Sequence, residues 1–227
     1  MKVLAIESSC DDTSFSVVSD DKSIDFIKTI NHRKFHKKHG GVIPEMAARQ
    51  HLDIMDYLQK SIKKFDFKKI DAIAATYGPG LIGGLIVGSS FAKGLSISRQ
   101  KKLIPVNHLQ AHLLSPRLTS NLSFPYLCLL VSGGNTALVI VKSPKKFVTL
   151  GSTIDDSAGE CFDKVSKALG LGYPGGPIIE KLALKGDHHK YKLPLPLTKV
   201  KNCNFSFSGL KTAAIDIIKK NRTHKKF

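Results

Sequence analysis

One run, YLCLLVSGGNTALVIVK at residues 126–142, limits what this chain can fold into more than any other. Its first six residues, Tyr126–Val131, are apolar throughout. That is too short for a core helix and suits a strand buried on both faces. Ser132, Gly133, Gly134 and Asn135 follow, and then a second apolar stretch at 137–142. Strand, glycine turn and strand make a hairpin. The small residues of its turn leave backbone N–H groups open to close approach by a ligand. A plain tight turn has the same composition, so both readings stand at this point.

Just upstream lies HLQAH, with His108 and His112 at i, i+4. On a helix the two imidazoles fall on one face, one turn apart. Two neutral imidazoles so placed can hold a transition metal, though they supply only two of its four to six ligands. They can equally be ordinary helix residues. A zinc protease needs Glu directly after the first His, and Leu109 stands there.

At 227 residues, with 42% hydrophobic residues, the chain is long enough for one large domain or two small ones with real cores. No run of eighteen apolar residues is present, so no helix is expected to cross a membrane. MKVLAIESSCDD has the charge pattern of neither a signal nor a transit peptide. Cys10, Cys128, Cys161 and Cys203 are far apart, with no CxxC. A reduced, cytoplasmic protein is the expectation. The net charge of +17 points to a polyanionic partner such as nucleic acid. Thirty of the thirty-five basic residues are Lys, and an AT-rich genome gives the same excess.

In chain order, residues 2–6 and 14–18 read as strands around ESSCDDT, a small polar loop with Glu7, Asp11 and Asp12. Such an acidic turn can face a nucleotide's phosphates and metal, or it is a solvated hairpin. The His-rich stretch 31–41 reads as a loop. Pro44 opens a helix whose stripe Met46, Ala47, Leu52, Met55, Leu58, Ile62 and Phe65 faces a core, with Arg49 and His51 off it. Residues 71–76 form a strand that turns through YGPGLIGGLIVGSS into a helix ending near Ser98. Its glycines serve close packing; no GK[ST] follows, so it is no Walker loop. Strands at 101–106 and 147–152 follow, then a helix at 158–169 started by Asp155, Asp156 and Ser157. Asp163 lies in its middle turn, solvated or aimed at ribose hydroxyls. GYPGGP starts a helix carrying Glu180, residues 186–201 form a basic proline-broken loop, and NFSFSGLKTAAIDIIKK reads as strand, turn and helix.

IESSCDDT, HGGVIPEMAARQH, YGPGLIGGLIVG, VNHLQAH, LVSGGNT, DDSAGECFDKVSKALGLGYPGGP and FSFSGLKTA stand in one order. Together they resemble the TsaD family, the tRNA N6-adenosine threonylcarbamoyltransferases, formerly described as glycoproteases. The resemblance runs from Met1 to about Lys220.

It implies an α/β, actin-like (Hsp70/sugar-kinase) ATPase fold in two lobes. The first is expected at 1–105 and the second, incomplete, at 106–227. It implies transfer of threonylcarbamoyl from threonylcarbamoyl-AMP to N6 of the adenosine beside the anticodon, in tRNAs reading codons that begin with A. His108 and His112 match the metal ligands, for iron(II) or in some members zinc. Leu130, Val131, Ser132, Gly133, Gly134, Asp163, Gly176 and Glu180 match the adenylate or nucleotide contacts. Asp11 and Asp12 match the acidic pair of the first turn, an expected proton acceptor. A TsaB-like paralogous subunit and a TsaE-like ATPase are the implied partners. Family members usually continue beyond this end, with an Asn on the adenine side and a third, Asp metal ligand. A non-catalytic partner subunit or a decayed enzyme of the same complex is therefore the alternative.

Overall fold

The computed structural model describes residues 1–32, 36, 42–62 and 66–223, excepting the side chains of Leu58, Ile62, Arg222 and Thr223. Most of the loop expected at 31–41, and Phe65 of the expected stripe, lie outside the described residues. The chain forms two compact units, Met1–Thr119 and Ser120–Phe227. The division falls after Thr119 and not after Pro105, so HLQAH belongs to the first unit.

The first unit is a five-stranded sheet in the order β3-β2-β1-β4-β5. Its strands are β1 (Lys2–Glu7), β2 (Asp12–Ser19), β3 (Ile24–Asn31), β4 (Ala72–Gly78) and β5 (Lys102–Asn107). The first three form an antiparallel meander, and β4 and β5 join it in parallel. A strand pairing in parallel with β1 needs a crossover, and α1 (Pro44–Ile62) supplies it. Helix α2 (Ile82–Arg99) makes the next crossover, and α3 (His108–Leu114) and α4 (Pro116–Thr119) follow β5.

Period-two alternation divides β1 between two faces. Leu4 and Ile6 pair in register with Val17 and Phe15 on one side and with Ile73 and Ala75 on the other. All six are buried and form the core with Met55 of α1 and Ala92 of α2. Ala5 and Glu7 therefore point to the opposite face of the sheet.

Glycines let α2 lie close to the turn after β1. A Cβ at Gly84 would stand 2.3 Å from the Ser8 carbonyl oxygen, and one at Gly88 2.0 Å from Ser8 Oγ. Ser8 Oγ donates in turn to the Gly84 carbonyl at 2.9 Å. The packing role expected of these glycines is met.

The buried line of α1 differs from the expected stripe. Leu52 is 64% exposed, and among the described side chains of α1 Ala47, His51 and Met55 are the buried ones. They recur at i, i+4 and i+8. His51 belongs to this line because both ring nitrogens are satisfied. Nε2–H donates to the Cys10 carbonyl at 3.1 Å, and Nδ1 accepts from Thr13 Oγ1 at 2.7 Å. Thr13 Oγ1 can then accept from His32 Nε2–H at 2.9 Å.

The second unit holds β6 (Tyr126–Val131), β7 (Thr136–Ser143) and β8 (Lys146–Ser152) as an antiparallel meander. Helices α5 (Ala158–Leu169), α6 (Gly175–Ala183) and α7 (Ser208–Thr223) follow. β6 is not buried on both faces. Leu127, Leu129 and Val131 are 60%, 56% and 52% exposed, and Leu130 is 9% exposed. Among the described residues β6 is an edge strand with β7 as its one neighbour, and one of its faces is open. The strand expected in NFSF is a single bridge between Phe205 and Thr153. α7 starts on Asp155, whose Oδ1 accepts from Phe207 N at 2.8 Å and whose Oδ2 accepts from Ser206 Oγ at 2.5 Å. Asp155 thus caps the entry to α7, while Ser157 caps α5.

Candidate functional site

Each unit carries one constellation with chemistry. In the first, Asn107 closes β5 and caps α3, its side chain accepting from Gln110 N at 3.0 Å. α3 therefore begins with His108 at the C-terminal end of a parallel strand, where open α/β sheets bind ligands. One turn on, His112 brings its Nε2 to 3.2 Å from His108 Nε2, with the ring planes 86° apart.

The other nitrogen of His108 faces β1. Nδ1 lies 3.3 Å from Glu7 Oε2 and 3.1 Å from Ser9 Oγ. Glu7 Oε1 accepts from Ser9 N at 2.6 Å, and Oε2 also accepts from Thr76 Oγ1 of β4. Burial pushes the Glu7 carboxyl up, but the bonds from His108, Ser9 and Thr76 outweigh it and hold it at about 2. Glu7 is therefore an anion at neutral pH and can only accept hydrogen bonds. Burial, and then the neighbouring His108, lower His112, which favours the neutral ring, the form that can ligate a metal.

Two imidazole nitrogens at 3.2 Å fit one ion. Among the described residues no group of three or more His, Cys, Asp or Glu side chains converges as a metal cage. An ion held by this pair would have two ligands from the described residues.

Asp11 and Asp12 sit in the same turn. The Asp11 carbonyl accepts from His32 N at 2.8 Å, and Asp12 opens β2 opposite Asn31. The carboxylate bonded to His108 is that of Glu7. From the sequence Glu7 is one of three acids in a turn that can face phosphates and metal, and that composition does not single it out from Asp11 and Asp12. Its signal was an acid at the end of an apolar strand, on the face opposite Leu4 and Ile6.

In the second unit the glycine turn is fastened to the start of α5. Ser132 N donates to the Asn135 carbonyl at 2.8 Å, and Asn135 N donates to Ser132 Oγ at 3.0 Å. Ser157, the α5 N-cap, donates its hydroxyl to the Gly133 carbonyl at 2.6 Å. Gly159 N donates to the Ser132 carbonyl at 3.2 Å, and a Cβ on Gly159 would stand 2.4 Å from that oxygen. Gly133 and Gly134 are exposed, and a Cβ on either would meet nothing within 4 Å. Ala158 N and Glu160 N donate to Thr136 Oγ1 and Ser157 Oγ, so the N–H groups at the start of α5 are taken within the chain, and the exposed side of Gly133 and Gly134 is the part a ligand can approach.

Asp163 of α5 accepts from Gly175 N, the first residue of α6, at 2.6 Å. Gly175 is packed hard, its missing Cβ falling 2.5 Å from the Phe162 carbonyl oxygen. Gly176 faces open space, and Glu180 is exposed on α6. Leu130 is buried in β6 and Val131 is exposed beside the turn. The turn residues, Asp163 and the start of α6 are thus joined through α5, while Asp11, Asp12, His108 and His112 lie in the other unit.

The family model described as "TsaD: tRNA N6-adenosine threonylcarbamoyltransferase" matches residues 26–225. The chain belongs to this family. A relative of that name from Orientia tsutsugamushi (strain Boryong) is 52% identical over 221 residues, covering 96% of this chain and 64% of its own length. One from Thermotoga neapolitana is 49% identical over 231 residues, covering 99% of this chain and 69% of its own. The chain thus spans about two thirds of the relatives' length. Among solved structures, a ROK family protein from Streptococcus pneumoniae TIGR4 in complex with sucrose matches at TM-score 0.51 and 12% identity. That match covers 98% of this chain and 100% of the other. Component A of (R)-2-hydroxyglutaryl-CoA dehydratase from Acidaminococcus fermentans matches at TM-score 0.50 and 12% identity, over 100% of this chain and 70% of its own. These matches bear on fold alone, and the fold is the actin-like α/β fold that the TsaD motifs imply.

Proposed function

We propose that this chain takes part in transferring threonylcarbamoyl from threonylcarbamoyl-AMP to N6 of the adenosine next to the anticodon in tRNAs reading codons that begin with A. The observation that carries the reading is the convergence of His108 and His112 Nε2 at 3.2 Å in a member of the TsaD family. A non-catalytic subunit has no need of that pair.

The donor is a mixed anhydride with AMP as leaving group, so no protein nucleophile is required. His108 and His112 would hold iron(II) or zinc, which would supply Lewis-acid polarisation of the donor's oxygens. The backbone N–H groups of Gly133 and Gly134, on the exposed side of the turn, hold the adenylate phosphate. Leu130 and Val131 flank the nucleotide, and Asp163, Gly176 and Glu180 line its ribose side. Asp11 or Asp12 accepts the proton that N6 loses. Lys181, Lys185, Lys190, Lys192, Lys199 and Lys201 are exposed around the proline-broken loop and attract tRNA phosphates. A TsaB-like subunit and a TsaE-like ATPase complete the system in the cytoplasm. No described helix is long and apolar enough to cross a membrane.

The alternative is a non-catalytic or decayed member of the same complex. Two metal ligands, with no third converging among the described residues, favour it. Binding experiments separate the two. The proposal expects the chain to bind both a divalent ion and AMP, with His108→Ala removing the first and leaving the second. A chain that binds AMP and no ion supports the alternative.

A further inference from the structure

We infer that Glu7 is the positioning residue of the histidine pair: it fixes the His108 tautomer and so aims the Nε2 lone pair of His108 at the ion. The inference rests on the metal reading and adds to it a residue outside the ligand set.

The argument is one of proton counting. Glu7 Oε2, which already accepts from Thr76 Oγ1, lies 3.3 Å from His108 Nδ1. A carboxylate beside a bare imidazole lone pair is repulsive, so Nδ1 carries the proton and donates. Ser9 Oγ, 3.1 Å from the same nitrogen, does not decide the tautomer, because a hydroxyl donates or accepts equally well. With its proton on Nδ1, His108 presents a lone pair at Nε2. Across the 3.2 Å gap His112 Nε2–H then donates to that lone pair. For both Nε2 atoms to face an ion, His112 would carry this proton on its own Nδ1 instead, remaining neutral. Carboxylate–histidine–metal chains of this kind fix ring orientation and ligand basicity.

Glu7 is itself held from two further elements. Ser9 N fixes Oε1 at 2.6 Å, and Thr76 of β4 fixes Oε2. The His108 ring is therefore tied to the turn after β1 and to β4 as well as to its own helix. Reading α3 alone predicts the spacing of the pair and not its orientation.

The test has two readouts. Long-range proton–nitrogen correlation on the metal-free, isotope-labelled chain reports the His108 tautomer. The Nδ1–H form is expected in the unsubstituted chain and loss of it in Glu7→Ala. Co(II) titration, followed by its visible absorption, should show a 10–100-fold loss of affinity in Glu7→Ala, about the range for removing such a partner. Glu7→Gln keeps an acceptor oxygen without the charge and should lie between; it also serves if Glu7→Ala does not fold. His112→Ala, which removes a ligand, sets the floor. An unchanged tautomer in both Glu7 variants overturns the inference. So does Co(II) affinity within twofold of the unsubstituted chain while His112→Ala abolishes binding. If the unsubstituted chain binds no Co(II), the metal reading fails and the tautomer readout alone decides the role of Glu7.

Discussion

Ser157 Oγ donates to the Gly133 carbonyl at 2.6 Å, and this bond fastens the start of α5 to the glycine turn. It also accepts from Glu160 N at 3.1 Å, so one hydroxyl serves as helix cap and turn clamp together. The turn is thereby held still while its outer side stays bare.

That arrangement separates two glycines by their purpose. Gly134 borders open space, so Gly134→Val should leave stability within about 0.5 kcal/mol, the range of neutral surface changes. It should nonetheless weaken AMP binding at least tenfold, because the new methyls stand where a phosphate approaches. Gly159→Ala presses a methyl into the Ser132 carbonyl and should cost about 1–3 kcal/mol. Urea unfolding and calorimetric titration with AMP check both. Equal losses of stability in the two variants would show that Gly134 is needed for packing.

Acid should loosen the first unit well before its carboxylates are protonated. Burial, with the neighbouring His51 and His36, lowers His32 from 6.5 to about 4, and burial lowers His51 as well. An unfolded chain takes up protons below 6.5 that the folded chain refuses. The stability that the neutral pair contributes is thus complete above pH 6.5 and is lost as pH falls toward 4. Unfolding free energy measured across that window should decline, and His32→Gln should flatten the decline. A pH-independent plateau from 6.5 to 4 would contradict the neutral, buried assignment.

The edge strand β6 invites a different measurement. Leu127 and Leu129 are more than half exposed on a strand with one open edge, a combination that favours association between copies. Leu127→Thr and Leu129→Thr should leave stability within about 0.5 kcal/mol and should reduce light scattering at high concentration. A loss of about 2–5 kcal/mol, the range for truncating a buried leucine, would place these side chains in a core.

The sequence was most legible where local chemistry decides the outcome. Apolar runs marked β1, β4 and β6, Ser157 marked the start of α5, and the YGPGLIGGLIVG glycines marked a helix packed against a turn. Tertiary partners decided the rest. β6 reads as buried because its residues are apolar, yet burial depends on what covers a strand, and one face of β6 is open. His51 reads as a surface residue because imidazole is polar, yet Thr13 and the Cys10 carbonyl satisfy both its nitrogens. β3 escaped notice because its alternation is mostly exposed. The i, i+4 spacing gave the histidine pair, while Glu7, 101 residues away, comes to His108 only through the parallel pairing of β1, β4 and β5.

The central claim is that the His108–His112 pair belongs to a threonylcarbamoyl transferase, and a transfer assay tests it most directly. The chain would be fused to the part of the Orientia tsutsugamushi relative that it does not span, and supplied with TsaB-like and TsaE-like partners, iron(II), threonylcarbamoyl-AMP and unmodified tRNA. Nucleosides would be read by mass spectrometry. The account predicts threonylcarbamoyladenosine from the fusion and none from the same fusion carrying His108→Ala or His112→Ala. Undiminished product from either histidine variant, or none from the unsubstituted fusion, would contradict it.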